Sequence, residues 1–204
     1  MFTPKSLGLT HVRESRLCQV NNPDIAILTQ FVLNMRSELG DKFFIPYFDP
    51  FDGAKNAECL FLLEAPGGKA KRSEFISRDN PDETAKNIFE LCTSADLPRK
   101  STIIWNIVPW YVGESDKIRP VTIKDIKQAE PYLVELLIHL PQLKSIILFG
   151  RKSQKAFKTL SKIAPHLEIY HCWHPSPLSL NGHPERREDT LKTLKKIRAE
   201  LNSF

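Results

Sequence analysis

The sequence predicts a three-layer α/β domain, with a central four-stranded parallel sheet and helices on both faces. Three observations carry this. Four apolar runs of strand length, "AECLFLL", "STIIWNIV", "SIILF" and "LEIYHC", lie well apart along the chain. Segments of helical periodicity separate them. Strands that alternate with helices pair in parallel through right-handed crossovers, which bury the sheet between two helical layers. With 204 residues, 41% apolar and 26% charged, the chain has the composition of an ordinary globular protein, and one domain over residues 1–204 is expected.

Each element has its own signal. Asn22 and Pro23 precede the periodic run "DIAILTQFVLNMRSEL" and Gly40 follows it, giving a cap, a first-turn proline and a glycine stop for a helix. An irregular loop rich in proline and phenylalanine, "FFIPYFDPFDG", comes next. "AECLFLL" is a continuous apolar run and reads as the first strand. Asp79, Asn80 and Pro81 open the helical run "DETAKNIFELCTSA". "STIIWNIV" is β-branched and aromatic, a second buried strand, and "TIKDIKQAEPYLVELLIHL" is a helix with a proline partway along. "SIILF" is the third strand; the basic amphipathic run "RKSQKAFKTLSKIA" follows Gly150; "LEIYHC" is a short fourth strand; "EDTLKTLKKIRAEL" closes the chain as a helix.

Composition excludes several classes. No apolar run is long enough to cross a bilayer, and "MFTPKSLGLTHVRESR" lacks the apolar middle of a signal peptide, so a cytoplasmic protein without membrane contact is expected. Cys18, Cys59, Cys92 and Cys172 form no CxxC pair, which predicts free thiols and neither disulfides nor an iron–sulfur cluster. Residues 141–204 hold 12 Lys and Arg against 5 Asp and Glu, whereas residues 1–140 hold 17 against 19. One basic face suits a polyanion; a solvated C-terminal helix gives the same count.

In open parallel sheets ligands bind beyond the carboxyl ends of the strands. The four strands here run into Glu64 with "APGGKAKR", into Asn106, into Gly150-Arg151-Lys152-Ser153, and into "HCWHPSPLS". Their loops should share one rim. Glu64 is a carboxylate beside glycines that let a ligand approach the backbone, or else a cap for the next segment. Asn106 both donates and accepts, as needed to read an amide-like base edge, although turns also use asparagine. Gly150 to Ser153 place two cations and a hydroxyl at a helix start, where N–H groups favour phosphate. Leu178, in a loop stiffened by prolines, is either a wedge for a base stack or a residue folded back on the core. His171, Cys172, His174 and His183 do not suggest a metal site, since neighbours on an extended chain face opposite ways.

"LLEAPGGKA", "WNIVPW" and "HPSPLS" together resemble the uracil-DNA glycosylase superfamily. "HPSPLS" matches the second motif of the family-one enzymes; "LEAPG" is similar to the "GEAPG" first motif of the iron–sulfur-containing family four; "FGRKSQKA" is similar to the glycine-serine phosphate loop with two cations inserted. The resemblance spans roughly residues 58–182. It implies a monomeric, cofactor-free DNA glycosylase of base excision repair, which hydrolyses the bond between deoxyribose and a flipped-out uracil or related deaminated base. By this resemblance His174 would bond the base oxygen that gains charge, Asn106 would read the base edge, and Phe75 would stack on the base, with Ala65 and Gly67 beside it. Gly150, Arg151, Lys152, Ser153, Ser176, Pro177 and Ser179 would hold DNA, and Leu178 would be the wedge. There are departures. Against the family-one pattern "GQDPYH", Ala65 stands where the catalytic Asp does, Gly67 where the thymine-screening Tyr does, and Leu63 where the first glycine does. The family-four cluster cysteines have no counterpart. Glu64 must then supply the catalytic carboxylate, with Glu74 and Asp79 next in line. A glycosylase-fold protein that binds DNA without turnover is the alternative.

Overall fold

Of the four expected strands, three are buried along their whole length. In the computed structural model, which describes residues 3–114 and 117–201, these are β2 (Cys59–Leu63), β4 (Thr102–Asn106) and β7 (Ser145–Phe149). β8 (Glu168–Cys172) is partly exposed because it lies at the edge. The sheet order is β4-β2-β7-β8 and every pairing is parallel. Strands covered on both faces cannot alternate polar and apolar residues, which is why their sequences are continuous apolar runs.

The helices α2 (Ala26–Leu39) and α5 (Ile123–Ile138) pack together, as do α4 (Glu83–Ser94) and α9 (Pro184–Leu201). Phe31 of α2 meets Trp105 of β4, whose ring stacks on Phe48 at 3.8 Å. From the other side α9 reaches β8 through Tyr170, whose hydroxyl donates to Glu200. Thus the sheet lies between helical layers, as the sequence implied. No helix among the described residues is long and apolar enough to cross a membrane.

Caps and breaks refine the boundaries. The backbone carbonyl of Asn22 accepts from Ile25 and Ala26 in the turn that leads into α2, and Gly40, at φ 70°, caps the helix after Leu39. α4 is capped by Asp82, which accepts from the Ala85 N–H, and not by Asp79, which is fully buried in ion pairs. α5 starts with a reciprocal cap between Thr122 and Asp125 and contains Pro131. The run after Gly150 is broken into α6 (Gly150–Ser153), a 3-10 turn and α7 (Phe157–Ile163).

Short elements complete the chain. They are α1 (Thr10–Leu17), α3 (Gly68–Ser73), α8 (Pro177–Leu180), a parallel pair of β1 (Tyr47–Phe48) with β3 (Phe75–Ile76), and an antiparallel pair of β5 (Gly113–Glu114) with β6 (Lys117–Ile118). β1 lies within the loop that the sequence left irregular.

Candidate active site

At the carboxyl ends of the strands lies a cavity of about 710 Å³, lined by Glu64, Ala65 and Gly67 after β2, by Asn106 at the end of β4, and by His174 after β8. Parallel pairing explains the convergence. Leu63 is in register with Asn106, and the ladder continues through Ile107 N–H to the Leu63 carbonyl and Val108 N–H to the Glu64 carbonyl, so Glu64 and Asn106 leave the sheet side by side. Of the sequence candidates, these five share one space.

Asn106 is 4% exposed, and its Nδ2 amide is buried with no hydrogen-bond partner among the described residues. An orphaned buried donor costs about 1–3 kcal/mol, which a polar ligand in the cavity would recover. Glu64 is partly buried, and its Oε1 accepts from the Val121 N–H at 3.4 Å. Lys152 donates to the Val121 carbonyl, so one cation of the third loop braces the segment before α5 whose Val121 N–H meets Glu64. Successive residues Glu64 and Ala65 both reach the cavity because the chain turns at Pro66 and Gly67. A Cβ placed at Gly67 or Gly68 would meet nothing within 4 Å, leaving backbone open to a ligand.

His174 is oriented from two sides. Its Nδ1 accepts from the Ser176 N–H at 3.2 Å, which puts the ring proton of the neutral imidazole on Nε2. Burial holds its pKa below the ordinary 6.5, against the pull of Glu64. The result is a neutral imidazole with a fixed N–H donor. Gly150, at φ 83°, is the floor beneath it, for a Cβ there would come within 2.8 Å of the His174 Cβ. Gly150 therefore allows the close packing of His174.

Several expectations need correction. Phe75 is fully buried in a small cluster with Leu7 and Val20, its ring 6.3 Å from Tyr47, and it does not line the cavity. Neighbouring residues of a strand face opposite ways, so Ile76 takes that wall instead. Ser153 is fully buried and its hydroxyl donates to the Gly150 carbonyl, which removes it from any phosphate. Asp79 lies in ion pairs with Arg16 and Arg99 away from the cavity, and Glu74, in the left-handed region at φ 69°, ends α3. Neither is among the lining residues.

Arg151 is exposed on α6, and Ser176, Pro177 and Ser179 are partly so. Leu178 is 90% exposed at the tip of α8, which excludes the folded-back reading. Asp82 is a second cavity carboxyl that the sequence did not single out; burial raises its pKa against two backbone N–H groups. Its only signal was its place at a helix start.

A family model matches residues 50–198, and its description is the uracil DNA glycosylase superfamily. The chain belongs to the uracil DNA glycosylase superfamily. Solved structures place it in the same fold. A candidate uracil DNA glycosylase from Methanosarcina acetivorans is 15% identical, with TM-score 0.50, over 71% of this chain and 92% of that one. Pedobacter heparinus SMUG2 is 13% identical, with TM-score 0.52, over 90% of this chain and 87% of that one. A search of curated proteins by sequence returns no match. The superfamily assignment thus rests on a span that includes every cavity residue named above from Glu64 to His174.

Proposed function

We propose that the chain is a DNA glycosylase that hydrolyses the N-glycosidic bond of uracil, or a related deaminated base, flipped out of DNA. The observation that carries this is the meeting of Glu64, the unpartnered Asn106 amide and a neutral, oriented His174 in one cavity. In this reading Asn106 pairs with the base edge, and the cavity admits a base only after extrusion from the stack. As the bond from C1′ to the base nitrogen breaks, its electron pair leaves with the base. His174 Nε2–H bonds the base oxygen on which that charge collects, an interaction stronger in the transition state than before it. Glu64 faces the cationic sugar, and water adds to C1′ as its proton passes to the carboxylate. Arg151 and the 176–179 segment hold the phosphates, with Leu178 filling the gap in the stack.

The test is direct. Labelled oligonucleotides carrying uracil, hypoxanthine, xanthine or mismatched thymine are incubated with the protein and then cleaved with alkali at abasic sites. One positive lane supports the reading and names the base. Blank lanes with retained DNA binding support a binder without turnover, the role that Ala65 favours.

A further inference from the structure

We propose that Trp173 is a second stacking platform, outside the cavity, for an unpaired nucleobase of single-stranded DNA. The proposal rests on the glycosylase reading for its substrate, but its own observations are separate. The chain has three tryptophans, and two of them, Trp105 and Trp110, are each 1% exposed in the core. Trp173 is 42% exposed, beside His174 in sequence.

It is nevertheless held. The Arg186 guanidinium lies over the indole, 4.5 Å from the ring centroid, and its Nη1 donates to the Ser179 carbonyl at 3.3 Å. One residue of α9 therefore fixes both the indole and α8, which carries Leu178 at 90% exposure. A supported ring with a cation against it is the combination that binds single strands, since every base has a face to stack and every nucleotide a phosphate to neutralise. Charge favours the same occupant, as Trp173 sits in the third of the chain where cations outnumber acids 12 to 5. On this geometry a base entering the cavity passes His174, while its unpaired neighbour rests on Trp173.

The experiment uses the whole chain and uracil-free oligothymidylate, so no occupant of the cavity is needed. Because Trp173 is the exposed indole, its emission should be quenched saturably by the single strand. Trp173→Ala should weaken oligothymidylate binding, read by anisotropy, about tenfold or more, and Trp173→Phe should retain most of it. Thermal melting of both variants should match the parent. Binding without quenching, or unchanged affinity in Trp173→Ala, overturns the platform. Excision from uracil duplexes is scored separately: excision without quenching defeats the platform alone, and quenching without excision defeats the glycosylase reading alone.

Discussion

At the residue scale, His174 is the side chain whose environment is most specified. On the proposed reading, truncation to alanine removes the donor to the departing base, so excision should fall about 10²-fold or more while DNA affinity holds, measured by single-turnover cleavage and anisotropy. Gly150→Ala should mimic it with His174 still present, because the new Cβ meets the His174 Cβ at 2.8 Å and φ 83° disfavours any side chain. Burial lowers the His174 pKa, so just below 6.5 the unfolded chain binds more protons than the folded one. The stability from this group is complete above pH 6.5 and declines as pH falls below it. Urea midpoints between pH 8 and 5 should show that decline, reduced in His174→Gln. For Glu64, the amide of Glu64→Gln keeps the shape and loses the charge, so turnover should collapse with melting unchanged; full cleavage by that variant would move the carboxylate role to Asp82.

At the element scale, the piece that carries His174 and Leu178 is too short to hold itself. α8 spans four residues, and its anchor is Asn87 of α4, whose Nδ2 donates to the Pro175 carbonyl at 2.8 Å and to Asn181 Oδ1 at 3.0 Å. Arg187 of α9 donates to Asn87 Oδ1. Asn87→Ala should cost about 1–3 kcal/mol of stability, since two acceptors lose their donor. It should also lower excision from duplexes more than from single strands, because only a duplex needs a firm wedge. This anchor was not legible in the sequence, where Asn87 is one polar position of an amphipathic helix. Three of the strands were legible because burial on both faces leaves continuous apolar runs, and the residues at or just beyond the strand ends named Glu64, Asn106 and His174. What escaped was set by tertiary structure: the parity that turns Phe75 inward and Ile76 toward the cavity, the helices α3 and α8 that are too brief for periodicity, and the pairing of β1 with β3.

At the scale of the whole molecule, a buried ion-pair network and the candidate site occupy opposite ends of the sheet. The cavity lies where β4 ends at Asn106, whereas Arg78 donates to Thr102, the first residue of that strand, within a buried network of Arg16, Asp49, Asp52, Asp79 and Arg99. Asp49 accepts from Arg16 at 2.6 and 2.5 Å and from Arg99 at 2.7 Å, and its pKa stays lowered although burial opposes ionisation. Asp52 is driven the other way, up to about 6 from 3.8, because burial outweighs Arg99 and Arg78. The two carboxylates therefore act on stability with opposite signs. Asp49 contributes stability above pH 3.8 that is lost in stronger acid. Asp52 keeps its proton longer in the folded chain, so its ionisation lowers stability progressively as pH rises from 3.8 to about 6, and the deficit persists above. Replacing Asp49 with Asn leaves Arg16 and Arg99 short of a counter-charge and should cost about 3–5 kcal/mol at pH 7. Asp52→Asn should remove the decline between pH 4 and 6 and so gain stability over the parent at pH 7, read by chemical denaturation across that range. Excision by Asp52→Asn should match the parent at a temperature where both are folded, because the change lies a full strand away from Asn106. A loss of excision without loss of stability would show that the network reaches the cavity after all, through the segment from Ser77 to Asp82 that joins the two.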